Sequence, residues 1–344
     1  MNPDWKDFLR ANGARFDGEV VGDFGNLSAE LMAARDTTII SPLSHLGLIE
    51  CEGEDARSFL QNQLTSDVNH LEIGSAQYSS WCSPKGRMLA SFILFRNEAS
   101  LSYLAMLSAD LQEFIQKRLQ VYVLRSKVKI GSRSIDHECI GLSGPQADAA
   151  LQNTGITPPS APMQTSTFDN GTVIRLDNAR HIVIVATGAA ASLWEKLATC
   201  AIPVGTPAWQ WLDIATGIPR IEEATKEAFV PQMANLDKIG GVSFQKGCYP
   251  GQEVVARARY LGKVKRHLYR VHAEAAIAAG MPVYPADEVT QPPCGQIANA
   301  APAPSGGYEG LAVILEGSME NNVLRANLPD GNSIVLTNIS AVGE

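Results

Sequence analysis

Two stretches of this chain repeat one pattern of apolar and polar positions. The apolar run LGLIECE (46–52) leads into Gly53-x-x-Ala56-x-x-x-Leu60, and the run HECIGLS (137–143) leads into Gly144-x-x-Ala147-x-x-x-Leu151. In each, a strand passes through a glycine turn into a helix whose Ala and Leu lie four apart on one face. The recurrence predicts two similar α+β modules. Further helices are predicted where an N-terminal box precedes an apolar face: Asp110-x-x-Glu113 before Leu111, Phe114, Ile115 and Leu119, and Ser192-x-x-Glu195 before Leu193, Trp194 and Leu197. Residues 121–130 alternate as a strand does, and the runs TVIRL and HIVIVA flank Asp177-Asn178-Ala179, a hairpin signal. The proline-rich stretch 157–162 reads as an exposed loop. Beyond about residue 265 the helical rhythm stops. Six short runs (VKRHLYRVHA, MPVY, CGQIANA, GLAVIL, VLRANL and SIVLTN) are separated by Gly, Pro, Asn and Asp, which indicates a small barrel or sandwich.

Composition narrows the class. With 344 residues, 45% hydrophobic and 19% charged, the chain is long enough for two or three domains. The longest clear apolar run, 182–186, is strand-sized and far short of the roughly 18 residues of a membrane span. The first residues mix acids with bases and resemble neither a signal peptide nor a transit peptide, so a cytoplasmic, bacterial protein without membrane attachment is expected. Six cysteines (51, 82, 139, 200, 248 and 294) form no C-x-x-C pair and no His/Cys metal spacing, which argues against a disulfide framework or a zinc site. The six histidines form no metal-type pair, and phosphate-cradling glycine motifs are missing, so no metal and no nucleotide are expected. A net charge of −8 argues against a general nucleic-acid coat, yet residues 254–273 hold no acid and six cations: Arg257, Arg259, Lys263, Lys265, Arg266 and Arg270. The run marks either a local anionic partner (a polyglutamyl tail, a phosphate backbone, an acidic protein) or a strand with a basic solvent face.

The octet just before that run carries the chemistry. Lys246-Gly247-Cys248-Tyr249-Pro250-Gly251-Gln252-Glu253 places a thiol between two turn-forming glycines, with Pro250 fixing one backbone angle and a cation two residues away. Lys246 and the cations from Arg257 onward are expected to favour the thiolate, the reactive form of cysteine. The alternative is a small buried hydrophobe.

The segment KGCYPGQEVVARARYLGKVKR resembles the signature of the YgfZ family, folate-binding relatives of the T-protein (aminomethyltransferase) of the glycine cleavage system. FLQNQLTSDV (59–68), WCSPKGRMLASF (81–92) and GIPRIEEATKEAFVPQMANLDKIGGVSFQKGCY (217–249) match in the same order. The resemblance covers most of the chain from about residue 45 and implies an α+β, three-domain aminomethyltransferase-like fold. It divides the chain into 1–50 with 137–220 as a first, folate-binding domain, 51–136 with 221–264 as a second carrying the octet, and 265–344 as a C-terminal β-barrel, all around a central channel.

The same resemblance assigns roles. Tetrahydrofolate or a one-carbon derivative is the implied cofactor. Its holders are Arg220 and Glu222 of Arg220-Ile221-Glu222, and Asn235, with Glu223 competing for the role of Glu222. A pterin offers an N–H and an amino group side by side, and one carboxylate accepts from both, while the arginine either pairs with a folate carboxylate or orients the glutamate. Cys248 and Lys246 are the implied catalytic residues, framed by Gly247, Tyr249, Gly251, Gln252 and Glu253. Lys85, Gly86 and Arg87 form a basic turn typical of the family, or a plain hairpin turn with surface charges. Where the T-proteins carry an acidic pair, this chain carries Ala90-Ser91, and a hydroxyl does not stabilise a developing cation as a carboxylate does. The implied function is therefore that of an accessory protein in maturation or repair of iron–sulfur enzymes, including those that modify tRNA. Its implied partners are reduced folate, iron–sulfur enzymes or assembly proteins, and tRNA or a tRNA-modifying enzyme along 257–270. Two alternatives stand beside it, a tetrahydrofolate-dependent aminomethyltransferase or demethylase and a tRNA-binding module.

Overall fold

The computed structural model describes residues 1–97, 102–260, 264–286, 292–318, 323–328 and 331–337. Packing divides the chain into two compact units, each assembled from three separated segments. One comprises Met1–Phe59, His70–Gln77 and Ile93–Trp209; the other comprises Leu60–Asn69, Tyr78–Phe92 and Gln210–Glu344. Among the described residues no helix is long and apolar enough to cross a membrane.

The repeat seen in the sequence is a repeat of geometry. Strand Leu46–Glu52 runs into helix Ala56–Gln63, and strand His137–Ser143 runs into helix Ala147–Asn153. Gly53 and Gly144 take nearly the same backbone angle, φ +123° and +122°. The amides of Ala56 and Ala147 each close a turn on the glycine carbonyl at 3.1 Å. A Cβ on Gly53 would lie 2.1 Å from the Lys127 carbonyl oxygen, and one on Gly144 would lie 2.3 Å from that of Thr37. Only glycine meets both demands.

Each repeat strand sits inside its own sheet. Around His137–Ser143 the order is Thr165–Phe168, Gly171–Arg175, Arg180–Ala186, His137–Ser143, Ile39–Pro42, Ile202–Pro203. Strand Arg180–Ala186 is buried along almost its whole length, which explains a run of apolar residues without alternation. The hairpin read at Asp177-Asn178-Ala179 is present, its turn closed by Asp177 Oδ1 accepting from the amides of Ala179 and Arg180 at 2.9 Å. Helices Pro3–Ala11 and Thr187–Leu197 cover the sheet through Trp5, Leu9, Trp194 and Leu197. In the second sheet the order is Ala76–Cys82, Met88–Arg96, Tyr103–Ser108, Leu46–Glu52, Lys129–Ser132.

Three local expectations give way. The alternation over 121–130 does not make a strand: helix Ala109–Val123 runs through its first part, and the strand begins only at Lys129. The buried seam of Leu111, Ile115 and Leu119 sets the helix period, so Val121 rides in its last turn, 70% exposed. That helix is capped at Ser108 without a side-chain bond, and Asp110 lies in the first turn rather than at the cap, where a carboxylate faces the positive end of the helix dipole. The other box is also displaced. Its helix begins at Thr187, leaving Ser192 inside it.

The C-terminal region forms a closed barrel of six strands: Arg266–Ala273, Pro282–Pro285, Gly295–Pro302, Tyr308–Leu315, Val323–Ala326 and Asn332–Thr337. All six predicted runs contribute, the end of the last lying outside the described residues. Closure falls to the first strand, which pairs with both Tyr308–Leu315 and Asn332–Thr337. Val271, Ile297, Ile314, Leu324 and Ile334 fill the interior. A register shift between Ile297 and Asn299 interrupts the ladder with Tyr308–Leu315.

Candidate functional site

The octet leads directly into helix Gln252–Tyr260, so Gln252 and Glu253 form its first turn. Cys248 is exposed, which excludes the reading of it as a buried hydrophobe. The N–H groups of Lys246 are directed elsewhere. The ammonium is buried and donates to the carbonyls of Gln61, Leu64 and Ser66 at 2.5–2.9 Å, while lying 5.2 Å above the ring of buried Tyr249. Three N–H groups meet three acceptors. Burial pushes the amine down to about 8, with Asp67 acting the other way, so it keeps its charge at neutral pH. The hydrogen bonds of Lys246 thus go to the backbone and not to the thiol: a buried ammonium needs acceptors, and backbone carbonyls supply them. Burial also raises the Tyr249 phenol, and Cys82 adds to the effect.

The other cysteines differ from Cys248. Burial holds the thiols of Cys51, Cys82 and Cys139 up at about 12, and raises that of Cys294. Only Cys200 shares the exposure of Cys248.

The structure brings the Lys85-Gly86-Arg87 turn against the octet. The turn closes through Ser83 N to Arg87 O and Gly86 N to Ser83 O, both 2.8 Å. Gly86 (φ +70°) and Gly251 (φ +80°) interlock: a Cβ on Gly251 would lie 2.4 Å from Ser83 O and 2.6 Å from Gly86 Cα, and one on Gly86 would lie 2.8 Å from Val254 Cβ. Lys85 is exposed, whereas Arg87 is half-buried and donates to the carbonyls of Glu227 and Ala228. Gly247 has no such role, since its φ is unexceptional and a Cβ there would meet nothing within 4 Å. Gly251→Ala is therefore expected to cost about 3 kcal/mol or more, through backbone strain and overlap, and Gly247→Ala about 0.5 kcal/mol or less. Urea midpoints of the two variants check this.

A second constellation surrounds Glu222. Arg220 reaches Asp213 Oδ2 at 3.0 Å and Glu222 Oε1 at 3.3 Å. The guanidinium thus lies between the two carboxylates. Asn299, at the barrel's register shift, accepts from Arg220 N at 2.9 Å and donates to Arg220 O at 2.8 Å and Glu222 Oε1 at 3.1 Å. Ser91 Oγ accepts the Ile221 amide at 3.0 Å, which ties Ser91 to the Arg220-Ile221-Glu222 segment. Glu223 points elsewhere, exposed and paired with Lys226. Asn235 takes a left-handed conformation after the turn Pro231–Ala234, and its Oδ1 is buried without a partner. Gln232 Oε1, Ser83 Oγ and Arg220 Nε are also buried and unpartnered. Asn299 and Asp213 were not legible in the sequence, because an asparagine in a barrel strand and an aspartate on a helix carry no local signal of their partners.

The basic stretch divides. Arg257 and Arg259 are exposed on helix Gln252–Tyr260, and Lys265 and Arg266 are exposed at the start of the barrel. Arg270 leaves the patch: it pairs with Glu309, which also accepts from Trp211 Nε1 at 3.0 Å. Lys263 lies outside the described residues. Among the described residues no cluster of His, Cys, Asp and Glu is placed to hold a metal. The first unit carries a cavity of about 640 Å³ between Asn97, His137 and the Phe168–Gly171 turn, lined by none of the candidate catalytic or folate-holding residues.

Comparison with known proteins identifies the family and the fold. Residues 19–161 match the GCVT N-terminal domain. The chain is 35% identical over 256 residues to the tRNA-modifying protein YgfZ of Photobacterium profundum, covering 73% of this chain and 75% of the relative. It is 35% identical over 244 residues to the protein of the same name from Yersinia pseudotuberculosis, covering 70% and 72%. Among solved structures, the glycine cleavage system aminomethyltransferase T of Bartonella henselae superposes with a TM-score of 0.83 and 18% identity, over 98% of this chain and 97% of that one. The fold is therefore that of the aminomethyltransferases, and on the identity and coverage of its relatives the chain belongs to the YgfZ family.

Proposed function

We propose that this chain binds a reduced folate and serves tRNA modification through Cys248, as an accessory in the maturation or repair of iron–sulfur enzymes. The observation that carries the folate part is the fixed carboxylate of Glu222. Arg220 and Asn299 both hold Oε1, an arrangement that orients the group to accept from the adjacent N–H and amino groups of a pterin. Asn235 Oδ1 and Gln232 Oε1 are buried and unpartnered, and each has capacity to accept from a ligand, since buried polar atoms are otherwise satisfied. When bound, the folate supplies or accepts a one-carbon unit. The tRNA part rests on the relatives, which are tRNA-modifying proteins, and the iron–sulfur part on the softness of an exposed thiol. That thiol suits three roles: accepting the one-carbon unit, exchanging sulfur, or ligating a cluster delivered by a partner.

Glu222→Gln replaces an acceptor oxygen with a donor and is expected to weaken tetrahydrofolate binding by about 1.5–3 kcal/mol, as for a charge-assisted hydrogen bond. Titration calorimetry of wild type and variant measures it. Unchanged affinity removes Glu222 from the site, and no binding by the wild type removes the site. The rival reading as an aminomethyltransferase is disfavoured by Ser91, whose hydroxyl is already committed to the Ile221 amide. Sustained aminomethyl transfer by the purified chain would reinstate it.

A further inference from the structure

We infer that the surface formed by Phe244, Arg257, Arg259 and Tyr260 receives unpaired nucleotides of an RNA strand, one base stacking on Tyr260 and the arginines meeting phosphate. The inference deepens the tRNA reading above and rests on it. Its first support is an ordered array of rings and cation. The Arg259 guanidinium lies 4.3 Å from the centroid of the Phe244 ring, and Phe244 meets Tyr260 edge to face at 6.2 Å. Tyr260 remains 65% exposed. An exposed tyrosine braced from one side offers its free face to another π-system at little entropic cost, because its partners are already ordered.

The second support is charge. Residues 254–273 contain no acid, and among the described residues neither Arg257 nor Arg259 enters a salt bridge, although Asp237 senses the charge of Arg259. A chain with a net charge of −8 repels a polyanion on average, and an acid-free stretch with exposed arginines offsets that repulsion locally. Cations alone would suit an acidic protein equally. The braced ring distinguishes the occupant, because every nucleobase has a face that stacks and acidic side chains have none. The strand is unpaired, since an A-form duplex keeps its base faces covered. Cys248, exposed just before the same helix, lies on the chain between Phe244 and the arginines.

Affinity of the full chain is measured for a labelled, unstructured RNA of about a dozen nucleotides, a length within the range of single-strand sites. A duplex of the same length and polyglutamate serve as comparisons. Single-stranded RNA is expected to bind in preference to both. Tyr260→Ala is expected to lose about ten- to a hundredfold in affinity with an unchanged salt slope, and Tyr260→Phe to keep wild-type affinity. Arg257→Ala should shallow the slope of log affinity against log salt by about 0.7. Equal binding by Tyr260→Ala and wild type overturns the proposal. So does preference for polyglutamate, which would identify an acidic protein as the partner. The tRNA reading is tested apart, by tRNA modification in cells lacking the chain. Normal modification there ends that reading whatever the RNA affinities; lost modification with Tyr260→Ala binding as wild type ends only the platform.

Discussion

Cys248→Ser is expected to bring the activity of iron–sulfur enzymes that modify tRNA down to the level of cells lacking the chain, while the protein remains as stable as wild type. The second half follows from position. Cys248 is exposed, serine is nearly isosteric, and neither interlocking glycine is touched, so stability should move by about 0.5 kcal/mol or less. The first half follows from chemistry, because a hydroxyl is a poor nucleophile and a poor ligand for iron at neutral pH. Alkylation followed by mass spectrometry separates this thiol from the others. With thiols held at about 12, Cys51, Cys82 and Cys139 carry a thiolate fraction on the order of one in ten thousand at pH 8, and burial bars the reagent as well. Cys248 should be modified well ahead of them. The stringent comparison is Cys200, which is also exposed, so Cys200→Ser is expected to restore full cellular activity. Full restoration by Cys248→Ser would make Cys248 an ordinary surface residue.

Lys246→Met should have the opposite profile. The side chain keeps most of its length and its apolar stem, but three carbonyls lose their donors at once. An unsatisfied buried acceptor costs about 1–3 kcal/mol, and the three are not additive once the site relaxes. A destabilisation of about 3–5 kcal/mol is expected, among the larger values for a single substitution, read as a lower urea midpoint with little change in slope. If the variant is as stable as wild type but inactive, Lys246 acts on chemistry rather than on the fold. The two substitutions together would show that an eight-residue motif carries two functions: one residue locks the loop to 60–69, the other faces solvent.

The glycines illustrate how far a local pattern reaches. Gly53 and Gly144 were legible as equivalent turns because each stands at the same place between an apolar strand and an Ala/Leu helix face, and their backbone angles agree within a degree. Gly247 and Gly251 looked alike for the same kind of reason, yet only Gly251 is held against another backbone. Nothing near residue 251 in the sequence announces Gly86, since the contact is made across more than 160 positions. Helix ends failed in a similar way. The Asp110 and Ser192 boxes have the right residues, but Ala109–Val123 and Thr187–Leu197 start where the preceding strands end, and tertiary connection overrode capping preference.

What the sequence by itself determined is the set of features whose cause is local. Strand alternation, turn residues and the six short runs of the barrel are each encoded within a few neighbouring positions, and the octet with its three companion segments was enough to suggest the family. Tertiary structure alone decided where charges and polar groups point. Lys246 turned from an expected partner of the thiol into the occupant of a carbonyl nest, Arg270 left the basic patch for Glu309, and Asn299 came from the barrel to grip Arg220 and Glu222. The reason is physical. A hydrophobic period needs only to know which face is inside, whereas a buried charge or amide must find a specific acceptor or donor to offset its lost hydration, and that partner can stand anywhere in the chain.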